Sequence, residues 1–387
     1  MKKKAVMLVL ATVAIVSLVV VGSPAKPVAR AQEGEEQSEP IGTIGEITTE
    51  LRTMNENFER LIEVMEEEEV FEWTGQAQIG PGNPIYESMQ RMCQSMLDAS
   101  GGRLKLQIIP FGEGGPQGAF DQLNAGVIDF VAVNLAFWKD KFPAGELFSM
   151  RAGGMSPMEK YLWFISGGGA ELAQQMIGAY NVHLVPGGGQ LTTPETFLNS
   201  NTKIKVPGDL VDLKIRASGD GAEIFFRMGA KPVFMPGREI YEALQEGWIN
   251  AAEFASPCLD WTMAFYEVVE NVYRSECRAP HNFAPFLVNK TSWEELPDDL
   301  KVIMEKISRE EAIAGYADLC QGDIEALEWF EDYGCNVETL SVEVEEAFLD
   351  AANEFYDQMA DADPFYAEVL QSQRDFQATF RDTWSRP

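Results

Sequence analysis

GAKPVFMPGREIYEALQEGWINAAEF, the stretch Gly229–Phe254, decides the reading of the fold. Gly229 stops a helix, Lys231–Met235 reads as a strand, and Arg238–Gln245 carries helical periodicity. Gly247 ends that helix, and Asn250–Phe254 turns directly into another strand. Immediately upstream, Leu213–Ala217 reads as a strand, and Asp220 is placed to cap a helix running to Met228. The order is β-α-β-α-β, the unit of a parallel sheet covered by helices.

The same cadence occurs earlier. Phe71–Gln78 alternates as a strand, and Pro84–Ser100 places Met89, Met92, Cys93 and Met96 on one helical face. Arg103–Pro110 is a strand, Gln117–Ala125 a short helix and Val127–Val133 a buried strand. The halves share a phrase: Leu123-Asn-Ala-Gly126-Val-Ile-Asp129 and Leu244-Gln-Glu-Gly247-Trp-Ile-Asn250. Two units of one design predict two similar α/β lobes that face each other. Ligands of open α/β sheets sit beyond the carboxyl ends of the strands, so the expected site lies between the lobes.

That location selects the candidate residues. Arg216 stands near the carboxyl end of its strand, where a guanidinium offers two parallel donors to a carboxylate. Such a pair in a dry cleft is worth about 1.5–3 kcal/mol. Taken alone, it reads as an ordinary salt-bridged arginine; two further features point to binding. Glu253-Phe254 ends the last strand of the same unit, and Gln190 follows the run Gly187-Gly188-Gly189. A glutamine oxygen, a glutamate carboxylate and a backbone carbonyl make a ligand set for a hard cation, sodium or calcium. That cation would bridge to the acid and offset the local negative field.

Around these units the chain is mostly helical. Ser156, Pro157 and Glu159 form a capping box ahead of a helix over 158–166. Gly167–Gly169 break it, a second helix runs to about Tyr180, and Asn181–Val185 reads as a strand. Helical patterns follow over Thr291–Leu296, Pro297–Ala317, Gln321–Tyr333, Val342–Asp361 and Pro364–Trp384. The last is either a lobe-covering helix or a dimer arm.

The 387 residues are 45% hydrophobic, enough for two lobes with real cores, and the formal net charge is −31. Residues 1–31 hold Lys2, Lys3, Lys4, Lys26 and Arg30 and no acid, so the remainder is more acidic still. Such a body repels phosphate backbones and excludes nucleic acid as the expected partner. No GxSxG or Walker loop occurs, Gly112–Gly118 misses the dinucleotide spacing, and His183 and His281 sit in no catalytic motif. The expectation is a binding protein, not an enzyme. None of Cys93, Cys258, Cys277, Cys320 and Cys335 forms a CxxC pair, and spacing does not say which of them would join in a disulfide.

Lys2–Lys4 precede an uncharged run from Ala5 to Gly22, and Ala29-Arg30-Ala31 fits a small-x-small cleavage site. The run is a signal peptide or a retained anchor; at 18 residues its length suits either. Past a polar linker, Ile44, Ile47, Leu51, Met54, Phe58, Leu61 and Met65 alternate spacings of three and four. That is a coiled-coil seam for an oligomerising stalk, or one amphipathic helix docked on the body.

At this point a resemblance becomes specific. SGGRLKLQIIPFGEG (Ser100–Gly114), SPMEKYLWFISGGGAELAQQM (Ser156–Met176), LKIRASG (Leu213–Gly219), the opening stretch, and LVNKTSWEELPDDL (Leu287–Leu300) resemble, in order, the solute-binding subunits of TRAP transporters, the DctP-like family. The narrower likeness is to the branch that takes 2-oxo or 2-hydroxy monocarboxylates beside a metal ion. It implies a type II periplasmic-binding-protein-like α/β fold with long C-terminal helices and, here, an added N-terminal helical stalk. It implies Arg216 as carboxylate clamp, Gln190, Glu253 and the Phe254 carbonyl as ligands to calcium or sodium, and Phe137 and Trp138 near the far side of the ligand. That branch often has tryptophan where Phe254 stands, and the segment from Gln190 to Arg216 is longer here.

The expected organisation is a signal or anchor over 1–31 and a linker with coiled coil over 32–69. Lobe I spans 70–185, with contributions from about 257–300, and lobe II spans 186–256. C-terminal helices over 301–387 span both lobes. The expected protein is exported to the periplasm, and 5–22 is its anchor if retained. Expected partners are a small organic acid, integral membrane TRAP subunits, and further copies through residues 44–65 or the last helix. The alternative is a tethered oligomeric sensor or scaffold using the same cleft.

Overall fold

A computed structural model describes residues 44–66, 69–112 and 114–384. The apolar run, the cleavage site and the acidic linker expected over residues 1–43 lie outside them. The chain divides into two compact units, residues 1–67 and 68–387.

In the first unit the heptad residues fall on one helix, α1, Ile44–Glu66. Met54 is exposed on it, and Leu51 and Phe58 are half-buried. Among the described residues no helix is long and apolar enough to cross a membrane.

The second unit is a mixed α/β fold with two sheets. The first has the order β2-β1-β3-β10-β4, from β1 (Phe71–Ala77), β2 (Leu104–Pro110), β3 (Phe130–Ala132), β4 (Val182–Leu191) and β10 (Phe283–Asn289). β1 pairs in parallel with β2 and β3, as the β-α-β reading requires, and β10 joins β3 and β4 antiparallel. Between β1 and β2 runs α2 (Pro84–Ala99), capped by the Asn83 side chain. Its buried Met89, Met92, Cys93 and Met96 pack with Leu104, Ile108 and Phe130. Gly75 in β1 carries no side chain because the Phe130 ring lies where a Cβ would stand.

The second sheet has the order β11-β9-β5-β8-β6-β7, from β5 (Leu198–Ser200), β6 (Lys214–Arg216), β7 (Lys231–Val233), β8 (Ala251–Ala252), β9 (Asn271–Arg274) and β11 (Asn336–Thr339). β6 is parallel to β7 and β8. β9 and β11, from outside 186–256, therefore complete the second sheet. The shared phrase behaves alike in both halves: Gly126 and Gly247 adopt φ of 73° and 70°, and each amide closes the helix before it.

Several boundaries differ from the sequence reading. The strand expected over Val127–Val133 shortens to β3, because Val127 and Ile128 give their amides to the Gln122 carbonyl in closing the preceding helix. The strand over 250–254 shortens to β8. Ser218, not Asp220, is the N-cap of the helix Gly219–Arg227, and Asp220 sits in its first turn. β4 runs beyond Val185 through three glycines to Leu191.

Pro297–Ala317 and Gln321–Tyr333 are one helix, Asp298–Tyr333, of 36 residues or about 54 Å. Its Leu300 and Met304 enter the core beneath the first sheet and its Phe330 the core of the second, so one helix ties both halves. The capping box at Ser156 is present as expected. The last helix, Pro364–Trp384, packs on its own chain as a cover: Gln373 and Gln377 accept from Arg151, and Arg381 pairs with Glu159 at 2.8 Å. All five cysteines are unpaired.

Candidate functional site

Parallel pairing of β6 with β8 sets Arg216 opposite Ala252, so Arg216 and Glu253 leave the sheet together at its carboxyl edge. The Glu253 amide donates to the Arg216 carbonyl at 3.0 Å, extending the ladder by one step. Arg216 is 7% exposed. Its Nη1 donates to the Glu253 carbonyl at 2.8 Å and to Glu253 Oε1 at 3.2 Å, and its Nε to the Met235 carbonyl at 3.3 Å. The Phe254 and Phe234 rings flank the guanidinium at 5.6 and 5.9 Å. Nη2 donates to no acceptor among the described residues. The group is thus oriented by its Nε and Nη1, with one nitrogen left over.

Glu253 is the hub. Its Oε1 also accepts from the Ser218 amide at 2.7 Å and the Ser218 hydroxyl at 3.2 Å. Its Oε2 accepts from Arg278 Nη1 at 2.8 Å. Arg278 continues the chain of charges, giving Nη2 to Glu195 Oε2 at 2.8 Å and to the Thr196 carbonyl at 2.9 Å. Burial pulls the Arg278 pKa down, and the carboxylates of Glu253 and Glu195 more than offset it, so the guanidinium holds its proton more tightly than usual. Burial likewise raises Glu195, against the pull of Arg278.

From Glu195 the string crosses to the first sheet. Asn282 donates to Glu195 Oε1 at 3.4 Å and accepts from Asn134, whose amide donates to Gln78 at 2.9 Å. Gln78 and Asn134 follow the carboxyl ends of β1 and β3. A polar string therefore joins the carboxyl edges of both sheets, the place where α/β folds bind ligands.

Beneath Glu253-Phe254 lies Asp260. Its carboxylate accepts from the Ala255 amide at 3.0 Å and from Asn199 at 2.7 Å, fixing the turn that follows β8. Burial pushes the Asp260 carboxyl up to about 8, against the pull of the Asn199 amide. Between the unfolded value near ~3.9 and that folded value, the native state binds more protons than the unfolded one. Stability from this group is therefore full in acid and is lost as pH rises through the folded value. Melting temperature should fall between pH 5 and pH 9, and Asp260→Asn should flatten that slope. An equal slope in the variant would show that the dependence arises elsewhere.

The side chains of the other expected residues make no hydrogen bond to those of this cluster. Gln190 sits in β4 opposite Ala284, and its amide donates to the Ile85 carbonyl at 2.8 Å. Trp138 is fully buried, its indole donating to the Pro116 carbonyl at 2.8 Å with its ring edge on Phe120. Phe137 is exposed. Arg278 and Glu195 enter the site without having been singled out from sequence.

Known proteins share the fold of the body. A monocarboxylate 2-oxoacid-binding periplasmic protein of Nostoc is 26% identical over 294 residues, 74% of this chain and 79% of its own length. A TRAP periplasmic solute-binding protein of Colwellia psychrerythraea, solved with calcium and pyruvate, superposes with a TM-score of 0.75 at 26% identity. The match covers 81% of this chain and 96% of that one. Its counterpart from Pseudoalteromonas atlantica, solved with sodium and pyruvate, gives 0.74 at 26% identity over the same shares. Residues 75–363 match the model of the DctP family, the bacterial extracellular solute-binding proteins of family 7, and the chain belongs to that family.

Proposed function

We propose that this chain is the extracytoplasmic receptor of a TRAP-type transporter and captures a small 2-oxo or 2-hydroxy monocarboxylate, which it passes to separate integral membrane subunits. The observation that carries this reading is Arg216, buried and held on two of its three nitrogens while Nη2 keeps no protein acceptor. An acid carboxylate supplies that acceptor and takes a charge-assisted hydrogen bond of higher worth than a neutral one. Support comes also from the Nostoc relative's 2-oxoacids and the pyruvate of the two solved relatives. The test is calorimetry of the purified protein against pyruvate, lactate and longer homologues, with a sugar as control. Binding of the sugar alone, or conversion of a bound acid into a released product, would end the reading.

The same relatives favour a calcium or sodium ion beside the acid. A hard cation wants six or more oxygens. Of the trio Gln190, Glu253 and Phe254, Gln190 gives its amide nitrogen to the Ile85 carbonyl and keeps its Oε1 for an ion, while the Glu253 oxygens already accept from Arg216, Ser218 and Arg278. Among the described residues no three of His, Cys, Asp and Glu cluster as a metal shell. An ion here draws on fewer carboxylates, with other oxygens completing its shell.

The heptads of α1 favour a second element, an oligomerising stalk beside the receptor. Removing residues 1–69 should leave acid affinity within about twofold and lower the mass found by light scattering to that of a monomer. A truncated protein of unchanged mass would assign assembly to the body. Capture of a histidine kinase in place of membrane transport subunits would favour a tethered sensor instead.

A further inference from the structure

We propose that a row of aromatic rings at the carboxyl end of the long helix Asp298–Tyr333, rimmed by unpaired carboxylates, is a docking surface for an arginine-bearing segment of a partner polypeptide. It does not depend on the acid-receptor reading.

Four rings follow one another. Between centroids, Tyr333 stands edge-on to Tyr266 at 4.7 Å, Tyr266 stacks on Trp261 at 3.9 Å, and Trp261 meets Trp329 at 5.5 Å. Three elements bring them together: the long helix carries Trp329 and Tyr333, the helix Pro257–Thr262 carries Trp261, and the turn Phe265–Glu267 carries Tyr266. Beneath the row Phe330, fully buried in the core of the second sheet, lies edge-on to Trp261 at 5.2 Å and to Tyr266 at 6.5 Å. The outer rings stay in solvent, Tyr333 at 57% exposure and Trp329 at 42%. Single exposed apolar residues are ordinary, but a joined row of large rings on a buried base marks an interaction surface.

The charge around the rings is of one sign. Glu325 and Asp332 stand four residues before Trp329 and three after it, on its face of the helix. Glu267 follows Tyr266 and accepts from the Tyr241 hydroxyl at 2.7 Å. None of these three acids makes an ion pair among the described residues. From Glu310 to Gln373 the chain carries 18 Asp or Glu and no Lys, Arg or His, so the long helix and its successors offer no cation here. The helix Gly237–Gln245, which brings Tyr241, holds only Arg238, and that residue pairs with Glu239. Negative charge beside bare rings selects the occupant. Anionic lipid headgroups, nucleic acid and a second copy of this acidic chain are repelled. An uncharged apolar partner would desolvate the carboxylates and leave them unpaired. A guanidinium answers both features, its plane lying on a ring while its edge gives paired donors to a carboxylate; an ammonium does one or the other. The row is at most about 14 Å long, and alternate residues of an extended chain stand about 6.6 Å apart on one side, so two or three arginines fit along it.

The test titrates the full chain, by calorimetry at physiological salt, with a peptide that alternates arginine and serine over five residues and with its lysine counterpart. The arginine peptide should bind, and the lysine peptide should bind at least about fivefold more weakly. Trp329→Ser combined with Tyr333→Ser should weaken the arginine peptide at least about fivefold. Glu325→Gln combined with Asp332→Asn leaves every ring in place, so it keeps the fold if the first variant does not, and should weaken the peptide by a similar factor. Equal affinity for the two peptides would mean attraction by net charge alone and would overturn the surface. So would parent-like affinity in either folded double variant. Binding of phosphatidylglycerol vesicles in place of the peptide gives the face to a membrane and overturns the proposal. A fall in the mass found by light scattering when the two rings are removed gives it to a second copy, with the same consequence.

Discussion

Arg216→Ala loses acid binding by at least about 100-fold, near 3 kcal/mol, in calorimetry at neutral pH. The size follows from what the side chain does. Nη2 is the donor that the protein leaves unpaired, and Nε and Nη1 are tied to carbonyls and to Glu253, so the guanidinium needs no reorganisation when an acid arrives. Truncation removes the donor and also leaves Oε1 of a nearly buried Glu253 with only Ser218 to hold it. Some loss of stability must accompany the loss of affinity, so a second variant separates them. Arg216→Lys keeps the charge but offers a single nitrogen in place of three. It should fold like the parent and still bind about tenfold or more weakly. If Arg216→Lys binds as the parent does, charge alone attracts the acid and the fork geometry is irrelevant. If Arg216→Ala binds normally, the clamp lies elsewhere.

The pairing of Arg216 with Glu253, on which the proposed clamp rests, was legible in sequence for a definite reason. Arg216 and Glu253 close two strands of one parallel unit, and parallel pairing brings the ends of such strands to one edge whatever the loops do. The helices and strands from Phe71 to Ala132 were legible on the same ground, since their periodicities and glycine stops are local signals. Local signals fail elsewhere. β9 and β11 are short strands, and the places of β9 beside β5 and of β11 beside β9 are set by pairing across many residues. Gln190 stood out because a glycine run precedes it; that the run continues β4, and that the amide nitrogen donates to Ile85, is set by pairing with β10 and not by any local signal. Arg278 stands in the irregular segment Cys277-Arg278-Ala279 between β9 and β10, with no period to mark it. Its importance comes from Glu195 and Glu253, which lie 83 and 25 residues away.

Arg278→Met destabilises the body by about 3–5 kcal/mol at pH 7, because it strands the buried Glu195 carboxylate, which has no other cation, and leaves the buried Glu253 with Arg216 alone. Side chains of Arg278, Glu195 and Glu253 are 2, 5 and 4% exposed, so water does not take over the lost interactions. In a body of this size that is a fall in melting temperature on the order of 10 °C. The fall should shrink in acid, where Glu195, already raised by its burial, takes up a proton and stops needing the guanidinium. A double variant with Glu195→Gln should recover part of the loss, because the stranded charge is gone, and the cycle of four proteins measures the coupling directly. Acid affinity separates a positioning role from a merely structural one. With Arg278 absent, Glu253 loses the anchor on Oε2 and can no longer hold Arg216 in its working orientation, so the variant should bind acid weakly even at temperatures where it is fully folded. A folded Arg278→Met protein with the parent's affinity would confine Arg278 to stability. A melting temperature within about 2 °C of the parent's would mean that the two carboxylates reach solvent, and that the charged string between the sheets is not the dry device drawn here.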